Sequence, residues 1–108
     1  MSTVDTITID FETYSEANLK KVGAAVYSEH PSTDIICMSW AFNDDPVQVW
    51  TPGLPFPGVL AEAIENGHLV EAHNSFFERM IWLNVGMRLY KFPSVGVQQW
   101  RCSMAACA

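Results

Sequence analysis

A mixed α/β sheet with flanking helices is what three features of this 108-residue chain call for. Apolar, β-branched runs stand at Thr6–Phe11, Ile35–Phe42 and Val47–Trp50. Two later stretches, Gly58–Glu65 and Ser75–Met87, repeat their apolar residues at helical spacing. Between those helices His68–His73 reads as a fourth strand, separated from the first three by a helical crossover. The expected sheet is a three-stranded antiparallel meander whose first strand is joined on its other side by a parallel fourth.

Taken in order, Thr6–Phe11 is a strand because β-branched residues suit an extended backbone. Tyr14–Lys21 is polar and turn-like, and Val22–Tyr27 reads as a short helix or an irregular stretch. After the turn at His30–Asp34, Ile35–Phe42 is nearly all apolar, which marks a buried strand. Asn43-Asp44-Asp45-Pro46 is a tight turn that makes a hairpin with Val47–Trp50; its two acids are turn residues rather than a metal site. Thr51–Pro57 is a loop rich in breakers. Val59, Leu60, Ala63 and Ile64 give the first helix its apolar face, and Asn66-Gly67 stops it. Asn74 is a natural N-cap for the second helix, which Gly86 and Lys91-Phe92-Pro93 close. Trp100–Ala108 reads as the opening of another helix. Trp40, Trp50, Trp82 and Trp100 fall inside strand and helix patterns, so core or edge packing is expected of them rather than base stacking.

The length suits one domain, and 49% hydrophobic with 17% charged residues fits a packed core. No apolar run approaches the length of a membrane span, and the first residues lack a signal peptide's basic and apolar regions, so a cytoplasmic setting is expected. Cys37, Cys102 and Cys107 lack C-x-x-C spacing and read as reduced residues of the core or its boundary. The net charge of −6 and the scatter of Lys20, Lys21, Arg79, Arg88, Lys91 and Arg101 exclude a protein that grips nucleic acid mainly by its phosphates. Acidity does not exclude phosphodiester chemistry, because an acidic pocket loaded with metal presents a positive face.

The chemistry concentrates in Ile9-Asp10-Phe11-Glu12-Thr13-Tyr14. Side chains alternate along a strand, so Asp10 and Glu12 share one face while Phe11 points into the core. Two like charges on one face repel unless a cation sits between them, and carboxylate oxygens favour a hard divalent ion. Ala72-His73-Asn74-Ser75-Phe76-Phe77-Glu78 is a strand end opening into a helix. With the first and fourth strands adjacent, Glu78 would meet Asp10 and Glu12 in an oxygen-rich site suited to Mg²⁺ or Mn²⁺. His73 reads as a structural residue at a strand end rather than a ligand, as do His30 and His68.

The D-F-E-T element followed by A-H-N-S-F-F-E resembles the first two motifs of the DEDD 3′-5′ exonucleases, proofreading domains built on a ribonuclease H-like sheet. The chain is most similar to the exonuclease domains of phage family A DNA polymerases. Further likeness lies in V-G-A-A-V-Y-S-E-H-P-S-T-D-I-I-C-M-S-W-A-F, in W-T-P-G-L-P and in R-M-I-W. The resemblance covers nearly the whole chain. It implies two-metal hydrolysis of the 3′-terminal phosphodiester of single-stranded DNA. By the same resemblance Asp10 would bridge the metals, Glu12 would bind the metal nearest the nucleophile, and Glu78 would take the second-motif acid's place. Thr13 and Asn74 would position the terminal nucleotide, with Phe77 packed behind the site.

Two departures from the pattern shape the expectation. The second motif commonly ends in Asp, and Glu78 is one methylene longer. The family's third motif, a Tyr or His followed four residues later by Asp, lies further along the domain than these residues reach. The expected reading is the N-terminal part of an exonuclease domain, weak or inactive alone, with an apolar face left uncovered that favours self-association, and a polymerase domain in longer relatives. Two other readings stay open: a non-catalytic exonuclease-like remnant serving as an interaction module, and a related 3′-5′ exonuclease acting on RNA.

Overall fold

The computed structural model describes residues 5–102. Its strands are β1 (Thr6–Tyr14), β2 (Asp34–Phe42), β3 (Gln48–Trp50), β4 (Leu69–Ala72) and β5 (Trp100–Cys102). Its α-helices are α1 (Leu19–Glu29), α2 (Gly58–Glu65), α3 (Ser75–Ile81) and α4 (Met87–Tyr90). A π-helical turn, Trp82–Gly86, joins α3 to α4, and a 3-10 turn, Val97–Gln99, precedes β5.

The five strands form one mixed sheet in the order β3-β2-β1-β4-β5. The expected meander is present: β1 pairs antiparallel with β2, and β2 with β3. The parallel neighbour is present too, with Ile7 opposite Val70 and Thr8 opposite Glu71. The fifth strand is a correction. Trp100, Arg101 and Cys102 pair in parallel with Val70, Glu71 and Ala72 instead of opening a helix, and the rest of that expected helix lies outside the described residues. The reason is tertiary: three residues extend because the free edge of β4 supplies their hydrogen bonds.

Alternation along β1 divides the sheet into two faces. Ile7, Ile9 and Phe11 are buried, while Thr8, Asp10 and Glu12 are exposed. The buried face meets Leu60, Ala63 and Ile64 of α2, Ile81 of α3, and Trp82 and Val85 of the π turn in one core. Phe92 is its aromatic centre, its ring 4.8 Å from those of Phe56 and Trp82 and 5.1 Å from that of Trp50. Trp40, Trp50 and Trp82 are buried, as their places in the pattern imply, and Trp100 is half-buried.

The stretch Leu19–Glu29 is longer and less regular than the short element expected at Val22–Tyr27. Asn18 caps it by accepting from the Lys20 N–H, and Gly23, at φ 82°, kinks it in a conformation that side chains resist. The second long helix runs beyond Met87 to Tyr90, where Lys91 in the left-handed region ends it. Inside it, the π turn inserts an extra residue that puts Trp82 and Val85 into the core and leaves Asn84 free to donate to the buried Ser28 hydroxyl at 2.9 Å. Cys37 is a free thiol as expected, whereas Cys102 is disulfide-bonded, against expectation; Cys107 lies outside the described residues. Among the described residues no helix is long and apolar enough to cross a membrane.

Candidate active site

The site starts from a mismatch in strand length. β1 has nine residues, but β4 pairs only with Thr6, Ile7 and Thr8, so the β4 side of β1 is unpaired from Ile9 onward. Past Ala72 the chain turns into α3, and the helix takes over that edge. The Phe11 N–H donates to Glu78 Oε2 at 3.2 Å. A backbone donor that a shorter strand leaves behind is thus satisfied by a side chain from the next helix.

This bond fixes where Glu78 goes. Its carboxylate meets the backbone midway between Asp10 and Glu12, and the residue is only 5% exposed. Burial pushes the carboxyl up from 4.5 to about 7; the Phe11 N–H opposes this, and the negative charge of Asp10 adds to it. Glu78 and Asp10 therefore feel one another, one from the helix and one from the strand. Asp10 and Glu12 are exposed on the face opposite Phe11. Asp10 also lines an open cleft of about 400 Å³ with Thr8, Ser39, Trp40, Asp45 and Val47.

The expected convergence is therefore partial. Among the described residues, no group of three or more His, Cys, Asp or Glu side chains is arranged to hold a metal ion. The geometry gives a reason: Glu78 turns an oxygen to the Phe11 N–H, while Asp10 and Glu12 extend into solvent. Two acids expose their carboxylates on β1, and the third is buried with one oxygen on the backbone between them.

The flanking residues fall where the sequence puts them, held by contacts it does not announce. Asn74 caps α3, its side chain accepting from the Phe77 N–H at 3.5 Å. Thr13 follows a register shift at Glu12/Thr13, and its hydroxyl shares a 2.9 Å hydrogen bond with that of Tyr27. The Tyr27 ring lies 6.0 Å from that of Phe77. Tyr27, buried near the end of α1, so connects the strand motif to the helix motif, a part that no periodicity in its own segment suggests. His73 is exposed at the strand end, as expected, with its carbonyl oxygen 3.2 Å from Cys102 Sγ.

A DNA polymerase of Bacillus phage SP02 is 33% identical to this chain over 101 residues, covering 91% of the chain. The matched segment is 15% of that polymerase, so the chain spans under a sixth of the relative's length. The likeness supports a polymerase-related domain. No protein-family model matches the chain, and no solved structure matches it.

Proposed function

We propose that this chain is the first part of a 3′-5′ exonuclease domain of the ribonuclease H-like kind, associated with a phage-type DNA polymerase and acting on the 3′ end of single-stranded DNA. The observation that carries the proposal is the Phe11 N–H to Glu78 bond at 3.2 Å. It unites the two motifs at one end of β1, as that family's chemistry requires. The meander followed by parallel strands supports the fold assignment, and the phage polymerase likeness supports the polymerase association.

In this reading Asp10 and Glu12 supply the exposed oxygens of a Mg²⁺ or Mn²⁺ centre, and Glu78 the buried one. The ions, when bound, would lower the pKa of the attacking water and stabilise the leaving 3′ oxygen. Glu78 must lose its proton to take part, and the exposed carboxylates of Asp10 and Glu12 need no rearrangement to reach a ligand. Thr13, held by Tyr27, and Asn74, at the start of α3, border the place where a terminal nucleotide would lie.

Calorimetric titration of Mn²⁺ into the wild-type chain and into Asp10→Asn tests the centre. Heat of binding in the wild type and its loss in the variant is the expected result. No binding in either, or equal binding in both, would leave the non-catalytic interaction module as the better reading. Release of label from a 3′-labelled single strand in Mg²⁺, compared between DNA and RNA, then reads activity and substrate.

A further inference from the structure

Charge is divided unevenly along this chain. All 12 Asp and Glu residues stand at or before Glu78, whereas Arg79, Arg88, Lys91 and Arg101 follow it with no acid among them. From Arg79 onward the long helix and the segment after it are cationic, in a protein whose net charge is −6.

The same segments build a groove. Met80, Leu83 and Met87 line one wall at helical spacing, Val97 stands on the other, and Trp82 and Trp100 meet between them with rings 5.9 Å apart. The cavity holds about 160 Å³. Sites for cofactors and drug-sized ligands run to roughly 300–1,000 Å³, so this one suits a single aliphatic side chain. Leu83 and Val97 are exposed, at 51% and 74%, and carry the apolar surface out onto the rim. The walls are set before any partner arrives: Trp82 Nε1 donates to the Pro93 carbonyl at 2.8 Å, and the Gln99 side chain donates to the carbonyls of Ile64 and His68 at 3.0 and 2.9 Å.

Arg79 lines this cavity and is half-buried. Arg88 donates to the Asn84 carbonyl, and Arg101 to those of Gln98 and Trp100. The Arg79 guanidinium has neither a hydrogen bond nor an ion pair among the described residues. A cation set among Met and Trp side chains gains most from a partner that brings a carboxylate, which its planar fork can hold with two hydrogen bonds.

We propose that this groove docks an amphipathic helix of a partner protein, which inserts one Leu or Met side chain into the cavity and presents an Asp or Glu, one turn away, to Arg79. Apolar anchors at helical spacing are how a helix seats in a groove, and Met-lined walls adapt to the side chain they receive. Nucleic acid phosphates would satisfy Arg79 but leave the apolar walls uncovered. The proposal stands apart from the exonuclease reading, because it uses neither the acids nor a metal.

The probe is a fluorescein-labelled peptide of about 18 residues, long enough to keep a helix, with Leu along one face and Glu one turn from each Leu. Its anisotropy is read with the whole chain, beside a version carrying Gln for every Glu. Wild type should bind the Glu peptide about tenfold more tightly than the Gln peptide. Arg79→Gln should weaken the Glu peptide about tenfold and erase that preference, because both changes remove one contact. Leu83→Ser should weaken both peptides and keep the preference, whereas Val59→Ser, on the exposed side of α2, should alter neither. A wild type that binds neither peptide, equal binding of the two, or a preference that survives Arg79→Gln would each overturn the proposal. Displacement of the peptide by an equal concentration of single-stranded oligothymidylate would reassign the groove to nucleic acid. Self-association in sedimentation that Leu83→Ser abolishes would reassign it to a second copy, and either result overturns the partner helix.

Discussion

Gly86 and Phe92 are packed so closely that a Cβ on Gly86 would lie 2.4 Å from the Phe92 ring. Gly86 is the last residue of the π turn, and its carbonyl also accepts from the Phe92 N–H at 3.2 Å. The chain leaves α4, reverses at Lys91, and drops an aromatic ring onto the one residue between Ser75 and Tyr90 that has no side chain.

Gly86→Ala should therefore destabilise the fold by about 1–3 kcal/mol, the usual cost of overpacking, although alanine is the better helix former. Urea denaturation measures it. An unchanged or raised midpoint would mean that the ring moves aside freely. In a double-mutant cycle with Phe92→Leu the two changes should couple, because the smaller side chain leaves room for the added methyl.

The Glu78 carboxyl, raised from 4.5 to about 7, makes stability depend on pH with a definite sign. The folded state holds the proton more tightly than the unfolded state. The contribution is therefore complete below about pH 4.5 and is lost as pH rises through about 7. Glu78→Gln, neutral throughout and still able to accept from the Phe11 N–H, should flatten this dependence. At pH 8 it should gain up to about 3 kcal/mol over wild type. Thermal melts at pH 5, 6, 7 and 8 supply the comparison, and parallel slopes for the two proteins would refute the assignment.

The same proton links to metal. A divalent cation that uses Glu78 must displace it, so Mn²⁺ affinity should fall as pH drops below about 7, with proton uptake by the buffer on binding near neutrality. Titrations in two buffers of different ionisation heat count the released protons. A count near zero at pH 6.5 would show binding that bypasses Glu78.

Asn74 is both the cap of α3 and a proposed nucleotide contact. Asn74→Ala should cost about 1 kcal/mol, whereas Asn74→Asp, a comparable cap, should keep the stability. Equal losses in chemical denaturation would mean that the amide nitrogen does more than the capping oxygen.

Much of this was legible in the sequence where a pattern is local. Alternation in Ile7, Ile9 and Phe11 against Thr8, Asp10 and Glu12 reveals β1 and its two faces, and Asn74 announces the helix that carries Glu78. What stayed hidden depends on distant partners. Trp100–Cys102 has no strand pattern of its own and is extended because Val70–Ala72 has an open edge. The π turn differs from an α-helix by one residue per turn, too little to disturb the spacing of Ile81, Trp82 and Val85. Tyr27 looked like one more apolar residue in an ambiguous segment, and only the fold brings Thr13 and Phe77 to either end of it. The metal acids were visible as motifs, but the N–H that claims one Glu78 oxygen was not.

The middle strand of the sheet is also the first to be synthesised. Ile7 finds Phe42 only after the hairpin strand has been made, and finds Val70 later still. At translation rates of about 5–20 residues per second, the β4 side of β1 waits for several seconds with no neighbour. A nascent chain with an apolar, half-paired β1 is a natural client for chaperones, and codon changes that slow synthesis between Phe42 and Leu69 should lengthen that vulnerable interval.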